Sequence, residues 1–347
     1  MNVIKRSNEV EKFVNNRNKT IDVLKGIMIS AVVIGHIAGT LSPPPNYNVV
    51  FSLCYSWHMF CFMMTVGFVA AKYGHIENGQ QKLVLRAKRL LLPYFAWTII
   101  RAVSLGHHTT VQILRDLFVA PLYWFLIVQF IYECIVYLCG VRKNRKVLIV
   151  LFYLAIAFIY ALTKAEILRQ TVQYFPYYFL GYIAGIEERV IKQYKSILQR
   201  VILIAAILYP PSMYFYAFKD KTVVLTRLRN ILVGMDVSNI TVERISSCAY
   251  HGGFQIYNYL VVAMLGSAFY LCVAWMINSH GKFLCRIFSE LGKETLQYYV
   301  ISGFFYVTTF NKNWNWLLSL MFCFVMPHIC AALIKRVSWL NKVLFGT

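Results

Sequence analysis

Two histidines inside apolar stretches are the side chains in this sequence best suited to move a proton. His36 lies in AVVIGHIAGT and His58 lies in YSWHMF, each within a long hydrophobic segment. A neutral imidazole in a partly dry cavity can accept a proton from a hydroxyl group, because its pKa lies near neutral pH. The alternative for either residue is a buried histidine that hydrogen-bonds to a neighbouring helix, and the residue types alone leave both interpretations open.

Two arginines offer a second kind of chemistry. Arg86 and Arg89 in LVLRAKRLLLPYFAW are three positions apart, so their guanidinium groups share one face of a helix. Guanidinium groups bind phosphate through paired hydrogen bonds, which suits a phosphorylated cosubstrate. The alternative is a basic anchor at the cytoplasmic membrane surface, and spacing alone favours that alternative.

Three further charged residues lie within or beside hydrophobic segments. Asp22 shares a helix face with His36, but the two are about 21 Å apart along the axis and cannot form an acid–base pair. We expect Asp22 to interact with the helix dipole, with Thr20 as the candidate N-cap, or to pair with a basic residue. Glu133 either serves the site or pairs two helices, and Arg101 either serves the site or extends outward to the membrane surface.

The composition indicates which elements position these residues. Of 347 residues, 59% are hydrophobic and 14% are charged, whereas a soluble domain averages about 45–50% apolar and about 25% charged residues. This composition predicts a polytopic membrane protein. The nine cysteines are scattered without a C-x-x-C pair, so we expect buried reduced thiols and no metal site.

Ten segments are apolar and long enough to cross a bilayer as helices. They lie near 21–41, 50–72, 89–106, 117–139, 146–163, 171–187, 198–218, 255–279, 293–311 and 314–335. The sequence therefore predicts an all-α, polytopic membrane bundle of about ten transmembrane helices.

The Lys and Arg residues between the spans set the expected orientation. The N-terminal tail holds five of them, and the loop SPPPNYNV after the first span holds none. Along the whole chain, one alternate set of polar segments holds more than twice as many as the other, so we expect both termini in the cytoplasm. The net charge of +21 then reflects membrane topology, and no nucleic-acid partner is expected.

This topology gives the expected domain organisation and the depth of the candidate residues. The expected parts are a cytoplasmic tail (1–20), one membrane domain (21–338) with a long outer loop (219–254), and a cytoplasmic C-terminal tail (339–347). His36 and His58 lie at similar depth in the outer half, on two antiparallel neighbouring helices. Arg86 and Arg89 lie at the cytoplasmic entrance of the third span.

Several ordered blocks of the chain resemble a known family. The blocks are NKTIDVLKGIMISAVVIGH, YSWHMFCFMMTVGF, RAKRLLLPYFAW, YWFLIVQF, YFPYYFLGYIAG and LGKETLQYYVIS. In this order they resemble the integral-membrane acyltransferase-3 family, and especially its single-domain, fucose-4-O-acetylase-like branch. The chain departs from the pattern at Phe60, where proline is usual, at Val66, where serine is usual, and at Ser302, where the closing block often has histidine.

The resemblance implies a reaction and roles for the candidate residues. Family members transfer an acyl group, usually acetyl from acetyl-CoA, to hydroxyl groups of glycans or lipid-linked sugars at the cell envelope. Carried over by motif, His36 is the catalytic histidine, and Arg86 and Arg89 serve acyl-donor binding. His58 and Asp22 lie in matching blocks and are further candidates. If the histidine that Ser302 replaces is essential in relatives, this chain uses another group or has altered specificity.

The resulting expectation is an O-acetyltransferase in a bacterial plasma membrane. Its acceptor would be a cell-surface polysaccharide of the capsule or O-antigen type, or a lipid-linked glycan. Acetyl-CoA would be the acyl donor, the lipid bilayer the surrounding partner, and no metal is expected. The alternatives are a transporter or flippase for a lipid-linked sugar, for which we see no inverted repeats, and a catalytically inactive relative, which Ser302 favours.

Overall fold

The described part of the chain is helical and contains no strand. The computed structural model describes residues 18–39, 49–73, 79–107, 109–119, 121–139, 146–187, 193–218, 257–311 and 315–346. The expected all-α bundle is therefore confirmed for these ranges. Most of the expected N-terminal tail, and the long outer loop at 219–254, lie outside the described residues.

The helices follow the expected apolar segments closely but divide some of them. Numbered in chain order, they are α1 (Lys19–Ala38), α2 (Val49–Tyr55), α3 (His58–Tyr73), α4 (Gly79–Ser104), α5 (Thr110–Phe118), α6 (Trp124–Cys139), α7 (Lys146–Thr163), α8 (Glu166–Ile186), α9 (Lys195–Phe218), α10 (Ala263–His280), α11 (Lys282–Lys293), α12 (Thr295–Asn311), α13 (Trp316–Lys335) and α14 (Ser338–Phe345). A short π-helix, Tyr257–Val262, leads into α10.

The described residues include several segments fit to span a membrane. Five are long and apolar enough by length and composition, namely Lys19–Ala38, Val49–Lys72, Lys195–Tyr214, Tyr257–His280 and Trp316–Lys335. Many large apolar side chains on α7, α9 and α13 are exposed, as expected for helices that face lipid. The chain is thus a helical membrane protein, and ten spans with cytoplasmic termini remain a prediction.

The second expected span, 50–72, matches the membrane-length segment Val49–Lys72, but a turn interrupts its helix. It breaks at Ser56 and Trp57 into α2 and α3. The carbonyl oxygen of Cys54 accepts a hydrogen bond from ring atom Nδ1 of His58 at 2.5 Å. The Trp57 side chain is fully buried and stacks on Tyr270 with ring centroids 3.6 Å apart, which holds the break in place.

The fourth expected span also begins differently from the prediction. Its first residues belong to the short helix α5. A reciprocal capping box between Thr109 and Gln112 marks the start of this helix. The longer helix α6 then begins at Trp124. Trp124 stacks on Tyr174 of α8 with ring centroids 5.3 Å apart, so this second start is anchored by packing.

The amphipathic helix α11 packs directly against the beginning of α1. A Cβ atom at Gly26 would collide with the carbonyl of Phe288, and one at Gly292 would collide with the carbonyl of Asp22. Only glycine permits two helix backbones to approach this closely. The contact fixes the N-terminal end of α1 in the bundle and brings α11 beside Asp22.

The last helix, α14, is tied to the middle of α4. The indole nitrogen of Trp97 donates to the carbonyl oxygen of Leu344 at 2.9 Å, and Phe345 is fully buried. The helix ends at Gly346, which has φ 66° and lies against the backbone of Arg89. The chain end therefore supports the stretch of α4 that carries the candidate arginines.

Candidate active site

His36 and His58 meet around one tyrosine. The hydroxyl of Tyr55 lies 3.0 Å from Nδ1 of His36. The ring of Tyr55 also stands perpendicular to the ring of His58, with centroids 5.0 Å apart. Phe51 stacks on Tyr55 at 4.1 Å and fixes its plane. We call His36, Tyr55 and His58 the histidine–tyrosine cluster.

Local sequence explains how Tyr55 reaches His36. Tyr55 is the last residue of α2, and His58 is the first residue of α3, so the helix break lies between them. On α1, Gly35 precedes His36, and a Cβ atom there would lie 2.8 Å from the Tyr55 ring. The glycine therefore provides the space into which the tyrosine ring packs.

The hydrogen bonds restrict the protonation of both imidazoles. A carbonyl oxygen can only accept a hydrogen bond, so Nδ1 of His58 is protonated and donates to the carbonyl of Cys54. In a neutral His58, Nε2 therefore keeps its lone pair. Between His36 and Tyr55 either group can donate. When Nδ1 of His36 donates to the tyrosine oxygen, Nε2 of His36 is the free proton acceptor.

The two histidines differ in access. His58 is 2% exposed, whereas His36 is partly exposed. The His36 ring also lies beside Tyr306 of α12, with ring centroids 5.3 Å apart. Of the two imidazoles, His36 is therefore the more accessible one, and His58 is enclosed by the surrounding helices.

A cavity of about 300 Å³ lies beside the N-terminal half of α1. One part of its lining is charged, namely Asp22, Lys25, Arg86, Arg89, Glu133 and Lys293. Its apolar lining includes Val32, Met59, Phe62 and Phe125. Val32 lies one helical turn before His36, and Met59 follows His58 directly. His36, Tyr55 and His58 do not themselves line the cavity, but two lining residues are their close neighbours along the helices.

Glu133 holds Arg86 at the charged end of the cavity. Nε of Arg86 lies 3.2 Å from Oε2 of Glu133, with the carboxylate 5% exposed and the guanidinium 22% exposed. The pair joins α4 to α6, which is the helix-pairing role considered for Glu133. Arg89, one turn further along α4, lines the same cavity. The two arginines thus share a helix face that opens into the cavity.

Asp22 lies at the opposite end of α1 from His36, as expected. Its side chain is buried and lines the cavity. The expectation that Thr20 caps the helix is wrong, because Asn18 is the N-cap and its side chain accepts from the amide of Thr20 at 3.0 Å. The Thr20 hydroxyl instead accepts a hydrogen bond from Asn278 of α10 at 3.2 Å.

Ser302 is buried on α12, where the resembled family often has histidine. Its hydroxyl lies 3.5 Å from the carbonyl of Tyr299, one turn earlier. The residue of α12 that lies beside His36 is Tyr306, one turn later. Tyr299 lines the cavity and packs on Phe125 with ring centroids 5.7 Å apart.

The structure adds residues that the sequence did not single out. Tyr55 is three residues before His58 and faces His36, and Lys25 is three residues after Asp22 and lines the same cavity. The spacing of three in a helix was the available signal for both. Within the part of the chain that the structure describes, no group of three His, Cys, Asp or Glu residues is arranged to hold a metal ion.

Comparisons with known proteins bear on most of the chain. A family model described as an acyltransferase domain matches residues 18–336. The nodulation protein NolL of Mesorhizobium japonicum is 30% identical over 213 residues, an alignment that covers 55% of this chain and 55% of that protein. The chain therefore aligns with about half the length of this curated relative. No solved structure matches the chain.

Proposed function

The chain belongs to this acyltransferase family, and from that premise we propose that it is a membrane O-acyltransferase of the bacterial plasma membrane. It transfers an acetyl group from acetyl-CoA to a hydroxyl of a cell-surface polysaccharide or a lipid-linked glycan. The observation that carries the proposal is one cavity lined by Arg86 and Arg89 and also by Val32 and Met59, which are close along their helices to His36 and His58 of the histidine–tyrosine cluster.

The lining of the cavity fits an acyl-CoA donor. Lys25, Arg86 and Arg89 supply positive charge for phosphate groups at one end, and Val32 and Phe62 supply apolar contacts for a thioester arm at the other. The donor contributes the acyl group as a thioester. With the expected topology, the charged end faces the cytoplasm, where CoA is available.

Glu133 orients the donor-binding arginine in this proposal. The carboxylate fixes Nε of Arg86 and leaves the terminal nitrogens of the guanidinium to face a ligand. A guanidinium held by a buried carboxylate loses less conformational freedom when it binds phosphate. Glu133 is therefore a positioning residue for donor binding.

His36 acts as the general base on the acceptor. Its Nε2 takes the proton of the acceptor hydroxyl as the hydroxyl oxygen bonds to the acyl carbon. The bond between that carbon and sulfur breaks, and the proton on His36 passes to the departing sulfur. The Tyr55 hydroxyl holds the ring through Nδ1, so that Nε2 is the atom that exchanges the proton.

Acetyl content of the host glycan tests the proposal. Cell-surface polysaccharide purified from cells with and without this chain is compared by NMR, with the insertion of the protein verified in membranes. We expect O-acetyl signals only when the chain is present. Equal O-acetyl content would refute the transferase proposal, and loss of glycan export with unchanged acetylation would support the transporter or flippase instead.

A further inference from the structure

Two polar residues on α4, away from the donor cavity, have buried side-chain atoms without hydrogen-bond partners among the described residues. Thr98 is 1% exposed, and its hydroxyl is one of these atoms. Nε and Nη1 of Arg101 are also buried and without a partner among the described residues, although the residue as a whole is partly exposed. Burial of polar groups without hydrogen bonds is unfavourable, and each instance requires an explanation.

The two residues lie on one side of the helix. Thr98 and Arg101 are three positions apart in Gly79–Ser104, which brings their side chains together. The unpaired atoms are a hydroxyl and two guanidinium nitrogens, and all of them are able to donate a hydrogen bond. A group that satisfies them has to supply acceptor oxygens and negative charge, which is the chemistry of an oxyanion.

Neighbouring side chains already use their polar atoms elsewhere. Tyr123, a neighbour of Arg101, donates its hydroxyl hydrogen to the carbonyl of Val300 at 3.1 Å. Trp97, one turn before Arg101, donates to Leu344. On the neighbouring helix α5, the carboxylate of Asp116 is bound to His107 at 2.8 Å. The nearby groups with known partners thus leave Thr98 and Arg101 available to a ligand.

The position of this pair along α4 corresponds to the depth of His36. Arg86 and Asp22 both line the charged end of the donor cavity. Arg101 follows Arg86 by about 22 Å of helix, and His36 follows Asp22 by about 21 Å. Helix α12 contacts both helices, because Tyr306 lies beside His36 and Phe304 lies beside Trp97 on the face of α4 that carries Arg101.

We propose that Thr98 and Arg101 form a binding site for an anionic oxygen group of the acceptor, either a phosphate of a lipid-linked sugar or a carboxylate of an acidic sugar. The site holds the acceptor so that its hydroxyl reaches His36. This inference rests on the proposed function for the identity of the acceptor. It does not depend on how the donor binds.

The test measures acceptor binding and transfer separately, with the purified full-length chain. The probes are a lipid diphosphate-linked oligosaccharide rich in uronic acid, the same oligosaccharide without the lipid diphosphate, and a carboxyl-reduced form of each. Binding is measured without acetyl-CoA, and transfer is measured with labelled acetyl-CoA. We compare the wild type with Arg101→Gln, Arg101→Lys and Thr98→Val.

We expect Arg101→Gln to weaken binding of the anionic probe and to raise its KM by about tenfold or more, since a hydrogen bond to a charged group is lost. The KM for acetyl-CoA should not change. The weak transfer to the neutral probe, which is the carboxyl-reduced oligosaccharide without the lipid diphosphate, should not change either. Thr98→Val should have a smaller effect in the same direction, and Arg101→Lys should lie between the wild type and Arg101→Gln. If the effect of Arg101→Gln disappears with the probe that lacks the lipid diphosphate, the ligand is the phosphate. If it disappears with the carboxyl-reduced probe, the ligand is the carboxylate.

The control is Arg115→Gln, an exposed arginine on α5. It should leave binding and transfer unchanged. Equal affinity of the wild type and Arg101→Gln for the anionic probe would overturn the inference, as would an equal loss with the neutral probe. If thermal unfolding shows that Arg101→Gln does not fold, Arg101→Lys and Thr98→Val replace it. Weaker binding of the anionic probe by both variants supports the inference, and wild-type binding by both overturns it. Absence of transfer with intact, Arg101-dependent binding would refute the proposed function and leave the anion site standing.

Discussion

The hydroxyl of Tyr55 lies 3.0 Å from Nδ1 of His36 and joins a helix end to the imidazole of another helix. Because Tyr55 also contacts His58, it organises both histidines. This contact supplies the orienting group that His36 needs if it acts as a base. Asp22 does not reach it from the far end of α1.

Replacement of Tyr55 by phenylalanine should lower kcat while leaving substrate binding intact. The ring retains its stacking on Phe51, but the imidazole loses the hydrogen bond that holds its ring in place. We expect a fall in kcat of about 10- to 100-fold, within the range that general-base catalysis supplies. The KM for acetyl-CoA should stay within about twofold, because Tyr55 is outside the charged end of the cavity.

The control for this variant is Tyr137→Phe, which removes the hydroxyl from an exposed tyrosine on α6. A purely structural role of Tyr55 would appear as a lower melting temperature with normal kcat per folded molecule. That result would remove Tyr55 from the mechanism.

Glu133→Gln should weaken donor binding through Arg86. The amide cannot hold the guanidinium with a charged hydrogen bond, and the interaction at 3.2 Å is weakened. We expect the KM for acetyl-CoA to rise by about tenfold, since the energy at stake is that of one charged hydrogen bond. The KM for the acceptor should remain as in the wild type, as measured by varying each substrate in turn.

Glu166→Gln is the matched control, because Glu166 pairs with Arg169 at 2.5 Å on the exposed start of α8. It should leave both KM values unchanged. An unchanged KM for acetyl-CoA in Glu133→Gln would mean that the Arg86–Glu133 pair only joins two helices.

Phe125→Leu should extend the range of acyl donors. Phe125 packs on Phe62 with ring centroids 5.1 Å apart and belongs to the apolar lining of the cavity. A smaller side chain provides space for a longer acyl chain, and one methylene in such a pocket changes selectivity by about 10-fold or more. We expect the ratio of kcat/KM for butyryl-CoA over acetyl-CoA to rise by at least this factor.

Phe152→Leu on α7, where the side chain is exposed, serves as the control for Phe125→Leu. Its donor selectivity should match that of the wild type. If Phe125→Leu also retains wild-type selectivity, the acyl group does not lie in this part of the cavity.

Gly292→Ala should destabilise the bundle. The new Cβ atom would collide with the carbonyl of Asp22, which forces α11 away from α1. Overpacking of this kind costs about 1–3 kcal/mol, and we expect a lower melting temperature of the detergent-purified protein. Gly281→Ala, where the nearest contact of a Cβ atom is 3.2 Å, should have a smaller effect. Equal melting temperatures for the two variants would contradict this close helix contact.

The fold class and the family could be predicted from the sequence, whereas the roles of the candidate site residues stay predictions. Apolar segments predicted the helices because lipid-facing and buried positions are both apolar. His36 and His58 were expected at one depth from the short loop between their helices, and the structure places both against Tyr55. The ordered motif blocks identified the acyltransferase family that the comparison then confirmed.

Other features depended on tertiary packing and could not be predicted. The break at Ser56 and Trp57 follows from the stacking of Trp57 on Tyr270, a residue more than two hundred positions away. The pairing of Glu133 with Arg86 depends on how α4 and α6 are rotated relative to each other. Helix α11 was not among the expected spans because it is amphipathic and short.

Transfer of labelled acetyl groups by the purified His36→Ala variant tests the central claim most directly. Wild type and variant are compared at equal amounts of folded protein, with the glycan acceptor at saturation and acetyl-CoA binding measured alongside. The account predicts that transfer falls by at least about 100-fold, as expected for loss of a general base, while the affinity for acetyl-CoA is retained. Transfer at the wild-type rate by His36→Ala would contradict the assignment of His36 as the base.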